Sequence, residues 1–173
     1  MKFLFYLLSL VPKPVFEYLI DIYLSLGLYK YSSGFKVTLK NIEIAFPGRN
    51  KKDVTLLAKR SFKESIISGY ESIYTWGRND AEVNSNILRI ENNYLINNLK
   101  ESGLIAVSFH NRSVDMLLTW MNSQHTTTSL FKKIKNNTLN TYVKQRRESK
   151  NSKCYETNIS GVKEIFKSLK NNN

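Results

Sequence analysis

Leu104-Ile105-Ala106-Val107-Ser108-Phe109-His110-Asn111-Arg112-Ser113-Val114-Asp115 is the stretch on which the reading of this chain turns. Its first six residues are a nearly unbroken apolar run of strand length, closed off upstream by Gly103, and such a run predicts a strand buried on both faces. His110 follows at once, then a polar turn, then Asp115 in the first turn of a helix expected over 115–121. Open α/β sheets bind their ligands at the carboxyl ends of their strands, which is where His110 stands. Five positions on, the carboxylate can reach back to the imidazole, fix its tautomer and stabilise the imidazolium formed when a hydroxyl gives up its proton. His110 and Asp115 are therefore the candidate catalytic pair. A satisfied core histidine is the competing reading. The order strand, histidine, polar turn, helical acid favours the catalytic one.

Downstream of this stretch the pattern alternates: a strand over 126–131, a helix over 138–147, a strand over 154–157 and a helix over 161–170. Upstream lie a short helix near 94–100 and a long one over 51–76, where Val54, Leu57, Ala58, Phe62, Ile66, Tyr70, Ile73 and Tyr74 recur at helical spacing. Repeated strand-helix units predict an α/β fold, a mixed sheet with flanking helices.

The N-terminus differs in character. Residues 3–11 are almost wholly apolar, but Pro12-Lys13-Pro14 ends the run well short of the roughly 20 residues that span a bilayer. A second apolar run over 15–29 carries Glu17 and Asp21 on one helical face, the pattern of a helix lying in a membrane interface. A cleaved signal peptide is the rival reading, and no small-residue cleavage site follows the run. The expected division is 1–30 as membrane anchor helices and 31–173 as the domain that carries His110 and Asp115.

The 173 residues suit one domain with its own core, and the net charge of +12 favours negative partners such as nucleic acid, anionic lipid or an acidic protein. From Met116 onward eleven basic residues face three acidic ones, with Lys132, Lys133, Lys135, Lys144, Arg146 and Arg147 the densest group. That group reads either as an anion site or as a solvated face. Cys154 has no internal disulfide partner and no evident activating base, so it reads as a structural thiol. Two histidines cannot build a zinc-type cluster, and His125, among Gln124 and threonines, reads as a surface loop residue. No metal and no cofactor are expected.

At this point a resemblance becomes specific. His110-Asn-Arg-Ser-Val-Asp115 matches the H-x-x-x-x-D/E mark of the lysophospholipid and glycerol-phosphate acyltransferases, and three further blocks resemble their lipid A biosynthesis (lauroyl/myristoyl) branch. Lys40-Asn41-Ile42-Glu43-Ile44-Ala45-Phe46-Pro47 resembles that family's "R-N-L-x-x-A-F-P" segment, and Glu71 to Trp76 its "E-x-x-x-x-W" helix end. Phe131 to Asn136, followed by Arg147, resembles "Y-R-P-x-x-N-P-L" with its later Arg. The resemblance covers about the whole chain. It implies an anchored enzyme at the cytoplasmic face of a bacterial inner membrane, moving an acyl chain from acyl carrier protein onto a hydroxyl of a lipid A precursor. It also implies His110 and Asp115 as the catalytic pair and Lys132, Asn136 and Arg147 as substrate-binding residues, with Lys132 or Arg147 on a phosphate. Lys132 stands where the family has Arg, keeping the charge but not the bidentate fork. Asp115 is one methylene shorter than the family's usual Glu. Relatives continue past Lys170, so the resemblance implies that the C-terminal part of the family fold is missing and activity impaired.

Three readings stay open: an active acyltransferase, an inactive remnant of one, and a basic protein binding anionic membrane or nucleic acid. The third predicts exposed aromatics interleaved with the basic residues. Here the aromatics lie mostly in apolar helices and the N-terminal segment, so no nucleic-acid partner is expected.

Overall fold

A computed structural model describes residues 1–97, 104–109, 112, 114–149 and 152–171. The chain begins with two short helices, α1 (Lys2–Ser9) and α2 (Lys13–Ser25), which meet at 83° across the proline pair. Pro12 precedes α2 in an extended conformation and Pro14 lies in its first turn, where a missing N–H costs nothing. No single helix is long and apolar enough to cross a membrane. A 3-10 turn (Leu28–Tyr31) leads to α3 (Ser33–Ala45) and then to α4 (Lys51–Gly77), the longest helix described.

Helix α4 is the spine of the molecule. Asn50 caps it by accepting from the Asp53 amide at 2.9 Å, satisfying one of the orphan donors at a helix start. Its first half buries Val54, Ala58 and Phe62 into a core shared with Leu24, Tyr29 and Phe35 from α2, the 3-10 turn and α3. In its second half the buried stripe keeps Tyr70, as periodicity selects, but otherwise passes through Ile67, Glu71 and Thr75 rather than Ile66, Ile73 and Tyr74. A carboxylate thus occupies a core position, and its partners prove to be part of the site.

Helix α1 packs along the C-terminal end of α4. Phe5 stacks on Tyr142 with ring centroids 5.2 Å apart and meets Trp76 edge-on at 5.6 Å. Gly77 permits this approach, because a Cβ there would come within 2.4 Å of the Phe5 carbonyl oxygen. The Tyr70 hydroxyl donates to the Val11 carbonyl and Arg78 Nη2 to that of Ser9, tying the end of α1 to α4.

After α5 (Asp80–Asn84) and the single turn α6 (Tyr94–Asn97), helix α7 (Val114–Gln124) packs against α4 and α5. Then come β1 (Thr128–Phe131), α8 (Asn137–Arg147), β2 (Lys153–Glu156) and α9 (Ile159–Lys170). β1 and β2 pair in parallel, Thr128 with Lys153 through Phe131 with Glu156, and α9 covers both strands. The α/β expectation is met in this unit. Elsewhere the described chain is helical, and its sheet has two strands among the described residues.

The strand expected over residues 104–109 is not formed. The segment is irregular and exposed, Val107 at 91% and Phe109 at 88%. An apolar run signals a tendency to be buried, but a strand exists only where a neighbour supplies a ladder of hydrogen bonds, and among the described residues this segment has no such partner. Helix α3 is the opposite case, a helix formed over a stretch for which no helix is expected from the sequence pattern.

Candidate active site

Three elements converge on Asp115. It lies in the first turn of α7, where the helix dipole favours a negative charge, and its side chain is only 6% exposed. Arg147, in the last turn of α8, donates from Nε to Oδ1 at 2.6 Å and from Nη2 to Oδ2 at 3.3 Å. This two-pronged contact is the strong form of the carboxylate–guanidinium pair. Ser72 of α4 donates its hydroxyl to Oδ2 at 3.1 Å. The guanidinium of Arg147 also lies over the Trp76 ring, 6.0 Å from its centroid, while its carbonyl accepts from Asn122 Nδ2 at 2.9 Å. The ends of α4, α7 and α8 are thereby locked around one carboxylate.

A second charged junction lies beside the first. Glu71, adjacent to Ser72, accepts from Lys13 Nζ at 2.9 Å and pairs with Arg112 Nη2 at 3.2 Å. Arg112 reaches Glu64, two turns earlier on α4, through Nη1 at 2.5 Å. Burial works against the charged guanidinium, yet its bond to Glu64 and the fields of Glu71, Glu64 and Glu17 outweigh this and raise its pKa above the ordinary arginine value. Arg112 belongs to the His110-to-Asp115 stretch, so α4 holds that stretch at its middle and at its end.

His110 itself lies outside the described residues, as do Asn111 and Ser113. Of the other residues singled out from sequence, the structure brings Asp115 and Arg147 together. Lys132 and Asn136 lie elsewhere, both exposed: Lys132 directly after β1, and Asn136 at the opposite end of α8, some 15 Å along the helix from Arg147 at about 1.5 Å per residue. Asn136 is the cap of α8, accepting from the Leu139 amide at 2.9 Å. The loop carrying Lys132 is shaped by Asn140, a buried residue with no sequence signal beyond its polarity, which accepts from the Ile134 amide at 2.9 Å.

Two members of the basic group are internal clamps. Besides Arg147, Arg146 donates to the carbonyls of Thr75 at 3.2 Å and Arg78 at 2.5 Å and reaches Asp80 at 3.2 Å, satisfying orphan acceptors at the end of α4. Cys154 is 1% exposed and burial pushes its thiol up, as befits a structural residue rather than a nucleophile. His125 is half-buried between α7 and β1 rather than a plain surface residue, its amide closing α7 on the Met121 carbonyl at 2.9 Å.

A family description, bacterial lipid A biosynthesis acyltransferase, matches residues 2–173. The chain belongs to this family. No curated protein sequence matches it. The chain is accordingly an acyltransferase of lipid A biosynthesis, a class in which an acyl donor meets a lipid A precursor as acceptor. Asp115, buried and held by Arg147 and Ser72, is the acid that the sequence pairs with His110. Glu71 is the residue that sequence reasoning passed over as a site member. Its signals were a charged residue on the buried stripe of α4 and its place at the head of the block ending in Trp76.

Proposed function

We propose that this acyltransferase moves a fatty acyl chain from acyl carrier protein to a hydroxyl of a lipid A precursor, at the cytoplasmic face of the bacterial inner membrane. His110 takes the proton of the acceptor hydroxyl. The hydroxyl oxygen attacks the thioester carbonyl, the tetrahedral intermediate collapses, and the carrier's thiolate leaves and takes up a proton. Asp115 orients the imidazole and stabilises the imidazolium.

The anchoring of Asp115 carries this reading. A carboxylate offers about four acceptor positions, and Arg147 and Ser72 use three. Among the described residues one is left for the N–H of an imidazole, and the carboxylate's orientation is fixed in advance. In this scheme Arg147 is committed to Asp115, and the phosphate of the acceptor or of the carrier's prosthetic arm falls to Lys132, with Asn136 beside it at the start of α8.

Membrane attachment is supported by the outer faces of the N-terminal helices. Phe3, Leu4, Leu7 and Leu8 of α1 and Tyr18 and Leu19 of α2 are exposed, apolar side chains of the kind that enter a membrane interface. Lys2 and Lys30 add attraction to anionic lipid, whereas Lys13 is paired with Glu71. The donor and the roles are tested together by assaying the purified chain in detergent with a lipid A precursor and either acyl carrier protein thioester or coenzyme A thioester. The expected result is preference for the carrier thioester and loss of turnover in Asp115→Asn. Equal use of both donors, or an unimpaired Asp115→Asn, contradicts the assignment.

A further inference from the structure

Glu71 is buried in the middle of a helix face that could have been filled by leucine, and a buried ion pair commonly stabilises a fold no better than apolar packing of the same volume. Its contacts are not those of a local helix pair. One carboxylate joins Lys13, at the 83° bend between α1 and α2, to Arg112, two residues after His110 in sequence. Glu64 holds the other prong of Arg112 from the same face of α4, and Ser72, the next residue, holds Asp115. A single turn of α4 thus fixes two points of the His110-to-Asp115 stretch.

We infer that Glu71 is a positioning residue of the acyl-transfer reaction, acting through Arg112 on the stretch that carries His110. This rests on the functional reading given above. Arg112 is two residues from His110 in sequence, and an error of about 1 Å in a reacting group can cost on the order of 100-fold in rate.

The test compares Glu71→Gln, which keeps the shape and removes the charge, with Glu71→Asp, which keeps the charge. Glu71→Gln lowers kcat by roughly 10- to 100-fold with KM within about twofold of wild type, and Glu71→Asp recovers part of the loss. A second readout needs no turnover. The chain has two histidines, so NMR titration with His110→Ala for assignment separates their imidazoles. Glu71→Gln shifts the His110 titration curve relative to wild type, with the His125 curve as the internal reference. Should Glu71→Gln fail to fold, Arg112→Gln makes the same test, because Glu71 then keeps Lys13. Wild-type kcat in either variant, or superimposable His110 titrations, overturns the inference. A wild-type chain without turnover defeats the functional reading alone, and the imidazole titration still decides the role of Glu71.

Discussion

Replacing Arg147 by alanine exposes the energetics of the site most directly. Asp115 is 6% exposed and Arg147 22%, so the pair is largely shielded from water. Two unit charges about 4 Å apart attract by on the order of 4 kcal/mol at an effective dielectric near 20, and most of this offsets the cost of burying them. The pair as a whole therefore adds little net stability. Removing one partner is a different perturbation: Asp115 keeps only Ser72, and an uncompensated buried charge costs about 3–5 kcal/mol. Loss of the guanidinium from the Trp76 face adds roughly 0.5–1 kcal/mol. Against a total domain stability of about 5–15 kcal/mol, Arg147→Ala gives a chain close to unfolding. Arg147→Lys loses less, and the double change Arg147→Met with Asp115→Leu recovers most of the deficit. The assay is urea denaturation followed by circular dichroism, with Arg147→Met, Asp115→Leu and the double variant closing a mutant cycle. A loss below about 1 kcal/mol in Arg147→Ala, or additive effects in the cycle, refutes the reasoning.

Gly77→Ala forces a methyl into the Phe5 carbonyl, so α1 must lift off α4 at a cost of about 1–3 kcal/mol, read as a lower unfolding midpoint and earlier proteolysis within the first ten residues. Alkaline pH loosens the same contact: burial, with Tyr74 adding to it, pushes the Tyr70 phenol up, and burial does the same for Tyr142, so both keep their protons longer folded than unfolded. Their contribution is complete below the ordinary tyrosine value of 10 and is lost as pH rises beyond it, and denaturation midpoints between pH 8 and 11 fall less steeply in Tyr70→Phe and Tyr142→Phe. Phe3→Ser combined with Leu7→Ser, both on the outer face of α1, reduces sedimentation of the chain with anionic vesicles; unchanged binding contradicts attachment through this face.

Local signals and tertiary ones were unequally legible in the sequence. α4 could be read because its apolar residues recur at helical period, and α8 and α9 because strand and helix segments alternate there, both local properties of the chain. α3 was obscured by Val37, Thr38, Ile42 and Ile44, whose β-branching lowers helix propensity, until packing of Phe35, Leu39 and Ile42 in the core overrode it. Residues 104–109 show the reverse error, since an apolar run says nothing about whether a ladder partner exists. In the site, Asp115 and Arg147 were each visible, but not that they are partners, because a contact across 32 positions leaves no trace in spacing. Arg147 therefore looked like a phosphate ligand. Glu71 escaped because charge on a helix is ordinarily solvated, and only the fold reveals that Lys13 and Arg112 reach its buried carboxylate from more exposed positions.

The central claim is that His110, backed by the anchored Asp115, drives acyl transfer onto a lipid A precursor. Its most direct test is mass-spectrometric detection of the singly acylated product formed from acyl carrier protein thioester by wild type and His110→Ala, side by side in detergent. The account predicts product in the wild type and a fall of about 10²–10⁴-fold, to background, in His110→Ala. Equal rates in the two chains would contradict it and leave the reading of an inactive remnant.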